Sequence, residues 1–215
     1  MKFTAACFDL DGTLIDTGPP HRAAELATIR AFGFDGLADD HPITFGKGVI
    51  PGARIVTEHY GLGSADDVLA EYLRQWERIV ADGIELLPGA EAAVRSLADA
   101  GLRVALVTSG ESDYADGFLR ISGLADFFSC SVTLENVTRL KPDPQPYSKA
   151  AELLGVNPSE CVVFEDSQPG FTAALAAGMY CVGVGEIALS VTGDDAPHLA
   201  TASFEELDLD SLLGR

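Results

Sequence analysis

The sequence predicts an α/β fold: a doubly wound, Rossmann-like parallel sheet carrying an inserted helical cap. Three observations predict it. Short continuous apolar runs alternate with stretches of helical periodicity. Polar, chemistry-bearing residues stand where several of those runs stop. The segment between the first two runs holds helical patterns and no convincing strand.

The runs come first. "FTAACF" (3–8) ends at Asp9, "RVALVTSG" (103–110) loses its apolar character at Thr108, "CVVFEDS" (161–167) ends at Glu165 and Asp166, and "YCVGVG" (180–185) is a fourth. Uninterrupted apolar runs of this length suit strands covered on both faces, as in a parallel sheet. Between them, Ala90, Val94 and Leu97 keep helical spacing before Gly101, as do Tyr114, Phe118 and Ile121 before Gly123. Tyr147, Ala150, Ala151 and Leu154 precede Gly155, and Phe171, Ala174 and Leu175 precede Gly178. A glycine just past a helix supplies the left-handed residue that closes it.

The domain division follows. Residues 1–15 and 86–215 make the α/β core, and 16–85 make the helical cap, with hinges at "DTGPP" (16–20) and "ELLPG" (85–89). Within the cap, "HRAAELATIRAFG" and "SADDVLAEYLRQWERIVADG" read as helices, and "FGKGVIPG" (45–52) as a loop. Trp76 with Leu69, Leu73 and Val80 falls at helical spacing and is assigned to the cap's own small core. The tail, 186–215, gives only a vague strand or turn near "TASFEEL".

The bulk numbers exclude several function classes. The chain has 215 residues, 47% of them hydrophobic, and a formal net charge of −19. Binding to a nucleic-acid backbone by counterion release needs a basic surface, so nucleic acid is not an expected partner. An anionic membrane surface is disfavoured on the same ground, and no apolar run reaches the roughly 18 residues of a membrane span. The opening "MKFTAACFDLDG" does not read as a secretory signal. The four cysteines, at 7, 130, 161 and 181, have neither CxxC spacing nor neighbouring histidines, and read as free thiols of a cytoplasmic protein. An anionic substrate must then be drawn in by local positive charge or by a metal.

In open α/β sheets ligands bind beyond the carboxyl ends of the strands. Asp9, Thr108, Glu165 and Asp166 stand at such ends, Asp11 two residues beyond the first, and Lys141 lies just before a helix-like segment. Four carboxylates in one cleft call for a cation, and oxygen ligands with open water positions suit Mg²⁺. In that setting Asp9 can attack phosphorus as a covalent nucleophile. Asp11 can protonate the leaving oxygen and then deprotonate the hydrolytic water. Lys141 offsets charge on the transferring group, and Thr108 donates a hydrogen bond to it. Gly12 permits the tight turn between them.

"DLDGTL" (9–14), "VTSG" (107–110), Lys141 in "LKPDP" and "FEDSQPG" (164–170) resemble the four signatures of the haloacid dehalogenase superfamily. Within it, the chain is similar to the capped phosphatase and β-phosphoglucomutase-like branch. The resemblance implies Asp9 as nucleophile and Asp11 as general acid and base. It implies that Thr108, the Ser109 backbone and Lys141 hold the phosphoryl group. It places Mg²⁺ on Asp9, the Asp11 carbonyl and Asp166, with Glu165 either a ligand or its immediate support. His21 sits where related enzymes often carry a histidine. Lys47, flanked by glycines in the cap, reads either as a substrate contact or as a solvated loop lysine.

Three other activities are weighed. Dehalogenases of the superfamily lack the second aspartate, and Asp11 is present. Mutases of the similar branch place an Arg after the cap loop and a Ser-Lys/Arg-Asn run after the hydroxyl signature. Pro51 and Gly110-Glu111-Ser112 stand there instead, and Glu111 should repel a second phosphate. A non-enzymatic phospho-receiver module has neither an inserted lobe nor an acid two residues after its phosphoacceptor. The expected function is Mg²⁺-dependent hydrolysis of a small phosphorylated metabolite, a sugar or polyol phosphate, by a monomer.

Overall fold

In the computed structural model, which describes residues 3–42, 44, 49–81 and 83–214, the sheet is built from six parallel strands among the described residues. They are Ala5–Phe8 (β1), Arg103–Val107 (β2), Phe128–Val132 (β3), Cys161–Glu165 (β4), Tyr180–Val184 (β5) and Leu199–Thr201 (β6). Their order is β3-β2-β1-β4-β5-β6. The chain starts in the middle of the sheet, winds out to one edge and returns to wind out to the other. The reversal falls between β1 and β4, and a crevice opens at such a point above the carboxyl ends of the strands.

The register aligns those ends. Cys7 pairs with Ala105 on one side and Val163 on the other, and Phe8 pairs with Leu106 and Phe164. Side chains alternate between faces. Ala5, Cys7, Ala105, Val107, Cys161, Val163 and Cys181 pack on one face with α6 (Gln145–Leu154) and α7 (Gln168–Ala176). On the other face Phe8 stacks on Phe164 at 4.6 Å between ring centroids, and both approach Phe204. The remaining core helices are α4 (Ala90–Asp99), α5 (Ser112–Ile121), α8 (Glu186–Ser190) and α9 (Leu209–Leu213). Gly155 closes α6 in the left-handed region, as its position after the periodic stretch implies. The cysteines are all free.

Contacts divide the chain into two units, Met1–Asp16 with Glu85–Arg215, and Thr17–Ile84. The second is helical: α1 (Gly18–Ala31), α2 (Val49–Tyr60) and α3 (Ala65–Val80). Ile29, Ala53, Val56 and Val68 form its buried centre. Ser64 caps α3, its hydroxyl accepting from the Asp67 amide at 3.3 Å. Among the described residues no helix is long and apolar enough to cross a membrane.

Several local expectations need correction. The strand β3 was not anticipated, because its serines at 129 and 131 interrupt the apolar run and it is only partly buried. Residues 49–52 of the expected loop open α2 instead. Pro51 falls in the first turn, where a missing N–H costs no helical bond. The same reasoning explains why Pro19 and Pro20 can stand in the first turn of α1, while the division between the two units falls at Asp16 and Thr17, inside the expected hinge at 16–20. The apolar seam of α3 is offset by one residue: Val68 and Tyr72 are buried, Leu73 is exposed and Trp76 only half-buried.

Truncation of the aromatic stack should reveal how much this core contributes. Phe8→Ala is expected to lower unfolding free energy by about 3–5 kcal/mol, the usual range for a buried Phe. Urea unfolding followed by tryptophan fluorescence and circular dichroism will measure it.

Candidate active site

Alternation along the strands decides which way the acidic side chains point. Asp9 follows Cys7, and Glu165 follows Val163, so both project to the face lined by α6 and α7. Tyr147, fully buried on α6, meets them there: its hydroxyl donates to Glu165 Oε1 at 2.8 Å. Lys141 enters from the loop before α6, following a stretch that ends in a cis Lys141–Pro142 peptide bond. Its ammonium donates to Asp9 Oδ1 at 2.6 Å, to Glu165 Oε1 at 2.5 Å and to the Val107 carbonyl at 2.9 Å. The lysine side chain is 6% exposed and the Glu165 side chain 0%.

The other oxygen of Glu165 is satisfied by the start of α7. It accepts from the Asp166 amide at 3.1 Å, the Ser167 amide at 3.2 Å and the Ser167 hydroxyl at 3.0 Å. Helix N-termini suit an anion in this way. The approach is close enough to require glycine: a Cβ on Gly170 would lie 1.9 Å from the Glu165 carboxyl carbon.

Beyond β1 the chain turns sharply, with the amides of Leu14 and Ile15 returning to the Leu10 carbonyl. Gly12 has a φ of +84°, and a Cβ there would stand 2.3 Å from Asp166 Oδ2. Glycine is therefore needed twice at this position, for its torsion and for its size. The turn presents Asp11, whose Oδ1 accepts from the Tyr114 hydroxyl at 2.7 Å, with a further hydrogen bond from Thr108. The Thr108 hydroxyl also accepts from the Gly110 amide at 3.0 Å, and Ser109 is exposed in the same loop. Thr13 donates to Asp166 Oδ1 at 3.4 Å.

Burial dominates the electrostatics. It raises the Asp9 carboxyl well above the ordinary carboxylate range; the charge of Lys141 opposes this, while Glu165, Asp166 and Asp11 reinforce it. Burial raises Asp11 as well, against the hydrogen bond from Tyr114. Asp166 is pushed up to about 7 by burial and then by Glu165. Burial also opposes the charge on Lys141, but Asp9 and Glu165 outweigh it and hold the ammonium above its usual range. One lysine thus serves an excess of buried carboxylate. Asp9, Glu165 and Asp166 each offer an oxygen within 4.8 Å of the others. Such a set is incomplete electrostatically without a further cation, and its all-oxygen character fits a hard divalent ion.

The core residues singled out from sequence, Asp9, Asp11, Thr108, Ser109, Lys141, Glu165 and Asp166, therefore stand together at one end of the sheet. His21 lies on α1, its ring nitrogens 2.6 Å from the Tyr72 hydroxyl and 3.0 Å from the Thr44 hydroxyl. The buried Glu25 carboxylate is within 3.5 Å of both His21 and His41. Burial lowers the pKa of both imidazoles. Lys47 lies outside the described residues. Sequence reasoning missed Tyr114 and Tyr147, which it used only as apolar helix positions, and also Gly170. A tyrosine on a buried stripe needs a partner for its hydroxyl, and that signal was present for both.

A model of the haloacid dehalogenase-like hydrolase family matches residues 3–178. The chain belongs to this family. Among members of known kind, hexitol phosphatase A of Escherichia coli K12 is 39% identical over 191 residues, spanning 86% of this chain and 84% of its own. Validoxylamine A 7'-phosphate phosphatase of Streptomyces hygroscopicus subsp. limoneus is 32% identical over 210 residues, 96% of this chain and 94% of its own. The crystal structure of a β-phosphoglucomutase from Clostridium difficile superimposes with a TM-score of 0.78 at 23% identity, covering 99% of this chain and 97% of that one. At that identity the likeness speaks of the fold.

Gly170→Ala tests the close approach of α7 to Glu165. The added methyl has no room, and overpacking of this kind costs about 1–3 kcal/mol. A lowered thermal midpoint is expected, with far-UV circular dichroism unchanged at 20 °C or a similar temperature well below it.

Proposed function

We propose that this chain, a phosphoric monoester hydrolase, cleaves a small sugar or polyol phosphate in a Mg²⁺-dependent reaction that passes through a phosphoryl group on Asp9. The single observation that carries the proposal is the arrangement at Asp9. Its carboxylate is buried, gripped by Lys141 at 2.6 Å and clustered with oxygens of Glu165 and Asp166, while Asp11 stands two residues further on in the same turn. The names of relatives support the substrate class: one is called a hexitol phosphatase and one a phosphatase of validoxylamine A 7'-phosphate.

Each residue has a role that its surroundings suit. Asp9 is the nucleophile: one of its oxygens bonds to phosphorus as the bond from phosphorus to the leaving oxygen breaks. Asp11 gives its proton to that leaving oxygen. Burial favours the protonated carboxyl, and Tyr114 and Thr108 fix its direction. With the alcohol gone, the same carboxylate takes a proton from water, whose oxygen attacks phosphorus and releases Asp9 and inorganic phosphate. Lys141 favours the ionised form of Asp9 against burial, aligns it, and faces the charge on the transferring group. The Ser109 amide would serve the phosphoryl oxygens, since the Thr108 and Gly110 amides are already bonded to the Val132 carbonyl and the Thr108 hydroxyl. Asp9, Asp166 and the Asp11 carbonyl would hold Mg²⁺, with Glu165 either joining them or supporting Lys141. The ion supplies charge neutralisation that lets an anionic phosphate approach an anionic nucleophile.

The helical unit, Thr17–Ile84, is proposed to act as the cap that selects the organic part of the substrate. Its place in the sequence between Asp11 and Thr108, and the polar set around His21, support that reading. The expected setting is a monomer in the cytoplasm.

Two measurements test the chemistry. With a panel of phosphorylated metabolites, activity is expected to concentrate on hexitol or hexose monophosphates and to vanish in EDTA. Asp9→Asn should lower kcat at least about a thousandfold at saturating Mg²⁺. Asp11→Asn should cost about 10²–10⁴-fold on an alkyl phosphate and distinctly less on p-nitrophenyl phosphate, whose leaving group needs no proton. Equal losses on both substrates would remove Asp11 from the acid role.

A second prediction concerns the cation. Asp166→Asn is expected to raise the Mg²⁺ concentration for half-maximal activity by at least about tenfold, the scale on which loss of one metal-site carboxylate acts. Titration of activity with Mg²⁺ checks it, with isothermal calorimetry on substrate-free protein as a second reading.

A further inference from the structure

The helical unit buries a run of titratable side chains centred on Glu25 of α1. Glu25 Oε1 accepts from the Thr44 hydroxyl and lies 3.5 Å from His21 Nε2; Oε2 lies 3.4 Å from His41 Nε2. Behind each imidazole stands a tyrosine. The Tyr72 hydroxyl, on α3, is 2.6 Å from His21 Nδ1, and the Tyr60 hydroxyl, on α2, is 2.8 Å from His41 Nδ1. The order Tyr60–His41–Glu25–His21–Tyr72 therefore ties the last residue of α2 and the middle of α3 to α1.

The partners assign the protons. Each Nε2 faces the Glu25 carboxylate, where a lone pair would be repelled, so each Nε2 carries the ring proton. His21 Nε2 then donates to Thr44 Oγ1 at 3.0 Å, and each Nδ1 accepts from its tyrosine. Tyr60 Oη accepts in turn from the Ala38 amide at 2.9 Å. A further proton has only Nδ1 to go to, and there it displaces a phenol proton inside the unit, where a lost hydrogen bond is costly. The inner side is incompletely bonded. His41 Nε2 is buried and makes no hydrogen bond, and the His41 side chain is 2% exposed. A cavity of about 30 Å³ adjoins Glu25, His21, Thr44 and Tyr72, room for about two water molecules around a charged ring.

The other charges around the run are Arg22 on α1 and His59 on α2, whose Nε2 lies 3.4 Å from Asp40. Burial holds both imidazoles below their usual range; Glu25 opposes this, and Arg22 adds to it. We propose that the run from Tyr60 to Tyr72 is an acid-sensitive latch of the helical unit: a proton taken up at Nδ1 of His21 or His41 turns the tyrosine hydroxyl away and loosens α3 or α2 from α1. The latch is independent of the phosphatase reading. In the unfolded chain both rings take up protons below about pH 6.5. The stabilisation is therefore complete above that pH and is lost as the pH falls below it towards the folded values.

Hydrogen exchange of the full chain, at about pH 7 and about pH 5.5 and corrected for the intrinsic rate, tests the latch. Amides of α1, α2 and α3 are expected to open at least about threefold more in acid, relative to those of β1, β2 and β4, since one histidine contributes up to about tenfold per pH unit. Trp76, the one tryptophan of the chain, stacks on Tyr72 with ring centroids 6.2 Å apart, so its fluorescence should change over the same range. The double variant His21→Gln, His41→Gln keeps donors toward Glu25 and cannot be charged; it should lose the acid response. Should it not fold, imidazole NMR titration of the wild type decides, with both rings expected to titrate below about 6.5. Helices that open no more in acid than the strands overturn the inference. An acid response that persists in the double variant, or either ring titrating at or above the usual value, overturns it too.

Discussion

The ammonium of Lys141, held between Asp9 and Glu165 beneath the end of the sheet, is the interaction on which the rest of the site depends. Burying three charged groups is expensive unless their geometry is good and their remaining donors and acceptors are met. Here they are met. Lys141 spends its three protons on Asp9, Glu165 and the Val107 carbonyl, and its ammonium lies 5.0 Å from the centroid of the Tyr147 ring. Glu165 receives Tyr147 on one oxygen and the start of α7 on the other. Removing any one member would strand a charge in the interior. The strands β1 and β4, the loop before α6 and the first turn of α7 are therefore locked together by a single polar centre. The Asp9 carboxylate inherits its orientation from that centre rather than from its own turn.

Close approach makes this centre possible, and two glycines provide it. Gly12 lets the turn after β1 run against Asp166, and Gly170 lets α7 run against Glu165. Without them the carboxylates would be spread apart, better solvated and less perturbed. Burial raises the pKa of both Asp166 and Asp9, and the charge of Glu165 adds to it. A site assembled in this way holds more negative charge than its lysine balances. That excess is the physical basis for expecting a divalent cation, which would offset the repulsion between a strongly acidic chain and an anionic ligand.

Much of this was legible in the sequence because the signals were local. Asp9, Thr108 and Glu165 are marked by where apolar runs stop, and parallel pairing then brings the stops together whatever the details of packing. Gly12 is marked by its place in a tight turn. What stayed hidden depends on three dimensions. Tyr114 and Tyr147 have the spacing of core residues, and only the fold shows that their hydroxyls reach Asp11 and Glu165. Gly170 looks like any glycine near a helix start until a carboxyl group is found where its Cβ would be. The strand β3 was missed because it is only partly buried and the run is broken by serine. The start of α2 was hidden by a glycine and a proline that usually break helices but are harmless in a first turn.

The division of labour across the sheet has a consequence for how substrate range can change. The chemistry is proposed for groups on β1, β2, β4 and the loop before α6, and Lys141 is bonded directly to Asp9, Glu165 and the Val107 carbonyl. On the side of β3 and α5, Tyr114 alone among the described residues reaches that set by a side-chain hydrogen bond, through Asp11. Glu111 and Glu135 are exposed there. A substitution at 135 or 111 therefore strands no buried charge. A substitution at 9, 141 or 165 does. In a family whose members act on different phosphates, variation is expected to gather on the β3–α5 side of the crevice, because there it is physically cheap.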